Sequence, residues 1–247
     1  SKILVLGAGP VVIGSSSEYD YSAVSVCRAL KEEGISVVSV NSNPDTIMTD
    51  KNVADTVYIE PLNGETVKKI IEKEIPDAII GTTGGEAGLE ICLELLQNGY
   101  LDEHGTKLLG IKPETIKAIR NEQALRDTLE NVGEPYVSAK VLPTDAECVT
   151  FAGEIGFPVL ISPAFTPDFS EPIRCENADD ILSGFGSCAE RSLVNEVYVR
   201  KCVDDYKEVE FVAMRDSFGN CISVSSTENI DSVGIHSGDS IVVIPAQ

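Results

Sequence analysis

The stretch KILVLGAGPVVIGSSSEYDYSA, residues 2–23, predicts a buried strand, a glycine turn and the start of a helix. The apolar run at residues 3–6 suits a strand that is covered on both faces. Gly7 and Gly9 then allow the chain to turn sharply. Because a helix N-terminus after such a turn often binds phosphate, the stretch raises one question: does the turn bind a nucleotide, or does it only fold the chain?

The glycine spacing argues against a dinucleotide site. A dinucleotide fingerprint has its third glycine three residues after the second, but Val12 occupies that position and the next glycine is Gly14. The second predicted strand ends in Asn41, where a ribose-binding carboxylate is expected. Because a glycine turn also serves simply to turn the chain, a module that binds a dinucleotide or another nucleotide here is the least favoured of our hypotheses.

The rest of the chain falls into three predicted segments. Apolar strands alternate with amphipathic helices up to about residue 110, which indicates a parallel sheet covered on both faces. Beyond residue 136, short strands mix with two helices, which is typical of an α+β domain with an antiparallel sheet. We therefore predict a parallel α/β domain at residues 1–112, a helical connector at 113–136 and an α+β domain at 137–247.

Composition restricts the function classes. The formal net charge of −21 produces a field that repels nucleic acid and anionic membranes. No apolar run approaches the roughly 18–20 residues of a membrane helix, and no signal peptide precedes the first strand. We therefore expect a cytoplasmic protein without nucleic-acid or membrane partners. The same acidity disfavours a polyanion such as ATP unless basic side chains converge in one place.

Cysteine and histidine usage limits the metal and redox chemistry. The seven cysteines form no C-x-x-C pair, and their odd number argues against a closed disulfide framework. We predict that most of them are buried thiols in a reducing cytosol. Since His104 and His236 are the only histidines, a histidine-rich metal site is excluded.

Several longer motifs resemble a single family. They are VNSNPDTIMTD at residues 40–50, ADTVYIEPL at 54–62, GGEAGLE at 84–90 and ENIDSVGIHSGDSIVVIPAQ at 228–247. With the first turn, they resemble the large chain of carbamoyl-phosphate synthetase, at the start of one of its two homologous halves, over the whole of this chain. The resemblance implies a parallel-sheet pre-ATP-grasp domain followed by an incomplete ATP-grasp-like α+β domain. It also implies a ligase that phosphorylates bicarbonate or carbamate with ATP and Mg²⁺, in which the first glycine turn packs against the ATP-grasp lobes.

Two short segments keep the family pattern, and the resemblance implies that they bind nucleotide. Glu208 matches a carboxylate on the ribose side, and the turn Gly234, Ile235 and His236 matches a turn beside the nucleotide. The residues alone leave an alternative for each segment. Glu208 is equally well a solvated strand carboxylate, and for His236 a turn histidine bonded to the backbone is the favoured alternative.

Other positions that the resemblance implies contact ATP are changed here. The family's glycine-rich phosphate loop corresponds to a segment with two prolines and no glycine. Proline removes amide donors, and a carboxylate about 4 Å from a phosphate charge is repelled by about 1 kcal/mol even in water. Two arginines and an adenine-side acid of the family are also replaced. The changed positions are Glu122, Ser162, Asp168, Phe169, Glu171 and Lys201.

Three hypotheses follow. The first is a pseudoenzyme with weak or lost ATP binding that acts as a scaffold or regulator. The second is the N-terminal piece of an active synthetase, with ATP and Mg²⁺ as its cofactors. The third is the nucleotide module already disfavoured. By resemblance, the metal ligands lie beyond Gln247, so no metal site and no catalytic side chain are assigned within this chain. The implied partners are a glutamine amidotransferase small chain or the missing C-terminal half, and homo-oligomerisation stays open.

Overall fold

The computed structural model describes residues 1–11, 17–120, 122–164, 172–192, 194–204, 206–233 and 240–247. The chain divides into two compact units. The first unit contains Ser1–Thr128, Asn229–Pro245 and Gln247, and the second contains Leu129–Glu228 and Ala246. The segment boundaries that we predict at residues 112 and 136 remain predictions.

The first unit is built on a five-stranded sheet. Its strands are β1 (Lys2–Leu6), β2 (Ser36–Asn41), β3 (Thr56–Ile59), β4 (Ala78–Ile80) and β5 (Lys107–Leu109). They are all parallel and lie in the order β3-β2-β1-β4-β5. The predicted parallel sheet is therefore confirmed, and the carboxyl ends of its strands meet at one edge.

Helices cover both faces of this sheet. They are α1 (Ser17–Glu32), α2 (Gly64–Glu74), α3 (Gly85–Gln97) and α4 (Tyr100–Glu103). Two further helices follow, α5 (Pro113–Arg120) and α6 (Glu122–Val132), and the division between the two units falls within α6. Leu4 and Leu6 pack against α2 and α3, whereas Ile3 and Val5 pack against α1. Since each fully buried aliphatic side chain contributes about 1.5–3 kcal/mol, the apolar run of β1 stabilises both layers at once.

The second unit contains an antiparallel four-stranded sheet. Its strands are β6 (Ala139–Leu142), β7 (Val159–Pro163), β8 (Ile173–Cys175) and β9 (Val197–Lys201), in the order β6-β9-β7-β8. The helices α7 (Asp145–Ile155) and α8 (Ala178–Arg191) bury one face of it, with Val159, Ile161, Val197 and Val199 in the shared core. Side-chain caps start both helices: Thr144 accepts from the amide of Glu147, and Asn177 from two amides of the first turn of α8.

A hairpin follows that sheet. It consists of β10 (Val209–Arg215) and β11 (Cys221–Asn229), which pair antiparallel with a bulge at Val212/Ala213. The short strand β12 (Val242–Val243) belongs to the first unit. Every residue of β10 is exposed, and Phe211 and Met214, which alternate to opposite faces, are 72% and 60% exposed. The hairpin therefore presents apolar side chains on both faces.

In the described ranges, no helix has the length and apolar character that crossing a membrane requires.

Candidate functional site

Asn41 fixes the conformation of the glycine turn. It is fully buried at the end of β2, and its Oδ1 accepts hydrogen bonds from the amides of Gly9, at 3.1 Å, and Asn43, at 3.0 Å. Its amide nitrogen lies 3.7 Å from the sulfur of Met48. Asn41 occupies the position at which a dinucleotide site has its ribose-binding carboxylate. Its side chain instead joins the first turn to the end of β2.

The glycines around this turn allow close packing. A Cβ atom on Gly7 would lie 2.4 Å from Nδ2 of Asn41, and one on Gly84 would lie 2.8 Å from the carbonyl oxygen of Gly7. Between them, the Thr83 hydroxyl donates to the carbonyl of Leu6 at 2.8 Å. Since real Cβ atoms do not approach other heavy atoms so closely, the described part of the turn serves to pack strand ends together. Residues 12–16, which include Gly14, lie outside the described residues.

A second candidate region is the face of the four-stranded sheet that α7 and α8 do not cover. Residues directly opposite each other in an antiparallel ladder project to the same face. Ser162 is opposite Tyr198, and Leu160 is opposite both Arg200 and Arg174. All five side chains are half-buried or exposed. Val159 and Ile161, which alternate with Leu160 and Ser162 along β7, are buried. We call this surface the open face; it consists of Leu160, Ser162, Arg174, Tyr198 and Arg200.

The two arginines of the open face differ in their surroundings. Arg174 Nε donates to Glu176 at 2.7 Å, and its Nη1 contacts Asp204 and lies 3.1 Å from the sulfur of Cys202. The bond to Glu176 is the main reason why the pKa of Arg174 is raised above its ordinary value, although desolvation opposes it. Arg200 is exposed on the other side of Leu160. The open face therefore offers two cations, one of which is already held by two carboxylates.

Lys201 belongs to the opposite face. It is paired with the buried Val159, and its ammonium donates to the carbonyls of Gly156, at 2.8 Å, and Phe157, at 3.2 Å. Both carbonyls lie in the connection between α7 and β7. The structure therefore places two of the predicted site residues on opposite faces of the sheet: Ser162 faces the open side, whereas Lys201 supports a loop on the helix-covered side.

The structure describes the other predicted site residues to different extents. Glu208 is half-buried immediately before β10, where its neighbour Lys207 forms a 2.7 Å ion pair with Glu228. Glu122 begins α6, and nothing is described of its side chain. Six further positions lie outside the described residues, so their predicted roles stay predictions: Asp168, Phe169, Glu171, Gly234, Ile235 and His236.

The groups that the resemblance implies, ATP and Mg²⁺, fit the described residues unequally. The open face has two guanidinium groups and a hydroxyl, which are donors suited to phosphate oxygens. Among the residues that the structure describes, no group of three or more histidine, cysteine or acidic side chains is arranged to hold a metal ion. The donor set in this part of the chain therefore suits a phosphate but not its magnesium.

Sequence reasoning missed Arg174 and Arg200 as neighbours on one surface. The signal for Arg200 is the alternation of β9, in which Val197 and Val199 are buried and Arg200 therefore projects to the other face. No comparable signal marks Arg174, because β8 has only three residues.

Comparisons with known proteins agree with this architecture. Residues 1–118 match the family model described as the carbamoyl phosphate synthase preATP-grasp domain, and residues 121–247 match the model of the carbamoyl-phosphate synthase L chain, ATP binding domain. Over 246 residues, the chain is 48% identical to the carbamoyl phosphate synthase large chain of Agathobacter rectalis and 45% identical to that of Clostridium perfringens strain SM101. Each alignment covers 100% of this chain but 23% of the relative, so the chain spans about a quarter of the length of these relatives.

Solved structures share the fold. The biotin carboxylase domain of the Hydrogenobacter thermophilus 2-oxoglutarate carboxylase, in complex with MgADP and bicarbonate, aligns with a TM-score of 0.70 and 20% identity, over 92% of this chain and 49% of that one. A biotin carboxylase from Campylobacter jejuni in a beta-gamma-ATP complex aligns with a TM-score of 0.69 and 21% identity, over 92% of this chain and 50% of that one. At such identities the similarity is one of fold.

Proposed function

The chain belongs to the carbamoyl-phosphate synthase large-chain family, and from this premise we propose that it has an ATP-grasp fold with weakened ATP binding and acts as a scaffold or regulator. The observation that carries the proposal is the composition of the open face. The resemblance implies that Ser162 takes the place of a family arginine there, and Arg174 is already held by Glu176 and Asp204. Of the described cations on that face, only Arg200 is outside this carboxylate cluster.

The physical argument rests on the charge of the ligand. A triphosphate is stabilised by donors that converge on its oxygens and are already oriented before it binds. Each guanidinium–phosphate hydrogen bond of this charged kind is worth about 1.5–3 kcal/mol. By the resemblance, a serine at position 162 takes the place of one arginine, and Arg174 is shared with two carboxylates; we infer that both changes remove part of that stabilisation. The net charge of −21 adds a repulsive background field.

One observation favours a second candidate function, that of a piece of an active synthetase. The β10–β11 hairpin exposes apolar residues on both faces, and large exposed apolar surfaces usually mark an interaction site. The curated relatives are about four times as long as this chain. In this alternative, the hairpin packs against the remaining part of such a protein, which also supplies the Mg²⁺ ligands. An amidotransferase small chain as a partner and a cytoplasmic location are further proposals from the family.

Isothermal titration calorimetry of the 247-residue chain with Mg-ATP tests the first proposal. We expect a dissociation constant weaker than about 1 mM, the value that corresponds to about −4 kcal/mol. The variant Ser162→Arg should bind at least about 10-fold more tightly, since it restores one charged hydrogen bond. Ser183→Arg is the matched control, because it adds the same side chain to the exposed surface of α8. Micromolar binding by the unaltered chain would overturn the proposal of weakened binding.

A reconstitution experiment tests the second candidate. The part of the Agathobacter rectalis large chain that follows the aligned region is mixed with this chain, and bicarbonate-dependent ATP hydrolysis is measured. Hydrolysis that requires both polypeptides supports the hypothesis of an active synthetase piece. Stable association without hydrolysis supports the hypothesis of a scaffold.

A further inference from the structure

The chain contains two Asn-Gly pairs, Asn63-Gly64 and Asn98-Gly99. In such a pair, the backbone nitrogen of the glycine can attack the side-chain carbonyl carbon of the asparagine, because glycine has no Cβ atom to hinder the approach. Ammonia leaves, and the cyclic imide that forms takes up water to give an aspartyl or isoaspartyl residue. The rate in a folded chain depends on how easily the backbone of the pair rotates into the reactive geometry.

The two asparagines make similar side-chain contacts. Asn63 is the N-cap of α2, and its Oδ1 accepts a hydrogen bond from the amide of Thr66 at 2.9 Å. Asn98 follows the last residue of α3, and its Oδ1 accepts from the amide of Tyr100 at 3.1 Å. Both asparagines are exposed. Since a backbone amide polarises the carbonyl group under attack in each pair, these bonds do not distinguish the two sites.

The two glycines differ in their surroundings. Gly64 is buried as the first residue of α2, and a Cβ atom there would lie 2.7 Å from a carboxylate oxygen of Glu94. Gly99 is half-buried, with a φ of +78° and no described atom within 4 Å of its Cβ position. Rotation of the first pair therefore moves the start of a packed helix. Rotation of the second pair moves the short surface connection between α3 and α4.

A single backbone hydrogen bond holds the attacking nitrogen of the second pair. The amide of Gly99 donates to the carbonyl of Leu96 at 3.1 Å, at the carboxyl end of α3. Helix ends and surface connections open at much lower free energy than the core of a domain. The Gly99 nitrogen can therefore reach the Asn98 side chain without unfolding of the first unit.

We propose that Asn98 is a site of spontaneous modification, at which the folded chain is converted to aspartate and isoaspartate while Asn63 is protected. The nitrogen of Gly99 forms a bond to Cγ of Asn98, the Cγ–Nδ2 bond breaks, and ammonia leaves. Water, the only co-reactant, then opens the imide at either carbonyl carbon. The inference does not depend on the proposed function.

The modification weakens the junction of α3 and α4. It places a negative charge at the carboxyl end of α3, where the helix dipole disfavours it. The exposed Glu94, one helical turn away, adds repulsion between like charges. The isoaspartyl product also lengthens the backbone by one carbon shortly before Leu101, which is fully buried in the core of the first unit. A reaction at the surface thus lowers the stability of this core as the chain ages.

Peptide mapping by mass spectrometry, during incubation of the 247-residue chain under native conditions, tests the site. We expect acid to form at residue 98 about 10-fold or more faster than at residue 63, a ratio that requires about 1.4 kcal/mol of extra local protection at Asn63. In concentrated urea the two rates should become similar, because the protection comes from the fold. No conversion at residue 98 in the folded chain, or a ratio that is unchanged by urea, would overturn the proposal.

Substitutions of the two asparagines test the effect on stability. Asn98→Asp should lower the midpoint of urea unfolding of the fresh chain, because it introduces the charge of the product. Asn63→Asp is the matched control: the same change at the amino end of α2 should not lower the midpoint, since the helix dipole favours a carboxylate there. Asn98→Gln, whose longer side chain disfavours ring closure, should keep its midpoint during an incubation in which that of the unaltered chain falls. An aged chain that is modified at residue 98 but keeps its midpoint would show that the junction is not weakened.

Discussion

The amide of Gly9 donates a 3.1 Å hydrogen bond to Oδ1 of Asn41, and this contact joins the turn after β1 to the last residue of β2. The same oxygen accepts from the amide of Asn43. One buried side chain thus satisfies two backbone donors at the carboxyl edge of the sheet. A ribose carboxylate at this position would instead need to point toward a ligand, so this contact explains why the turn fits a structural role.

The first prediction concerns Gly7→Ala. The added Cβ would lie 2.4 Å from Nδ2 of Asn41 and 2.8 Å from the sulfur of Met48, so the buried side chains must move. We expect a loss of about 1–3 kcal/mol in the free energy of unfolding, measured by urea denaturation. Gly153→Ala is the control: nothing lies within 4 Å of its Cβ position in α7, and replacing a helical glycine should stabilise by about 0.5–1 kcal/mol. Equal effects of the two substitutions would contradict the packing argument.

The second prediction concerns thiol reactivity. All seven cysteines are free, and Cys221 is exposed whereas the other six are buried. Burial raises the pKa of the Cys92 thiol to about 12, and burial with nearby carboxylates raises that of Cys148 to about 12. Because the thiolate is the reactive species, one thiol should react quickly with a disulfide reagent at about pH 8 and the rest only after unfolding. Cys221→Ser should abolish the fast phase; a fast phase that persists would contradict the burial pattern.

The third prediction concerns pH and Glu74. The Tyr58 hydroxyl donates to Glu74 Oε1 at 2.7 Å, and Lys2 forms a 3.0 Å ion pair with Oε2. The Tyr58 bond is the main reason why the pKa of Glu74 is lowered from its ordinary value of 4.5, against the effect of desolvation. The folded pKa is therefore below the unfolded one, and the stabilisation is present above the unfolded pKa and is lost as pH falls through the folded pKa.

Tyr58→Phe isolates this effect. It should cost about 1 kcal/mol at neutral pH, the typical worth of one hydrogen bond, and distinctly less in acid below the folded pKa of Glu74. Urea denaturation of both proteins at the two pH values measures the difference. An equal cost at both would show that Tyr58 stabilises the fold by packing alone.

The sequence predicted much of the first unit because its signals are local. The apolar spacing of Val67, Ile70 and Ile71 predicts a helix over residues 64–74, and α2 has these bounds in the structure, where Asn63 caps its first turn. The spacing of Val24, Cys27 and Leu30 predicts a helix that begins at residue 22, whereas α1 already includes residues from 17 onward. The polar residues of its first turn, Glu18 and Asp20, carry no apolar periodicity, although acidic residues are favourable at a helix N-terminus.

The open face was beyond sequence reasoning for a different reason. The strand β8 has three residues, which are too few for alternation to identify it. No local pattern therefore indicates that Arg174 lies across Leu160 from Arg200. The position of Arg174 relative to Arg200 depends on the registers of β8, β7 and β9. The strands β7 and β9 are neighbours in the sheet but are far apart in the chain. Register is decided by tertiary packing, whereas the burial of Ile161 and Val199 follows from local pattern.

The last prediction uses the carboxylates that hold Arg174. If Glu176 and Asp204 weaken ATP binding by occupying this guanidinium, then Glu176→Gln with Asp204→Asn should free it for a phosphate and tighten Mg-ATP binding. We expect a gain of about 10-fold, equivalent to about 1.4 kcal/mol. The control pair, Asp179→Asn with Glu190→Gln on α8, changes the net charge by the same two units. A similar gain in both would assign the effect to the general field, and no gain in either would show that the phosphates of ATP do not approach Arg174. Stability should hardly change, because exposed ion pairs such as these contribute about 0–1 kcal/mol; the experiment therefore separates the binding role of the cluster from any structural one.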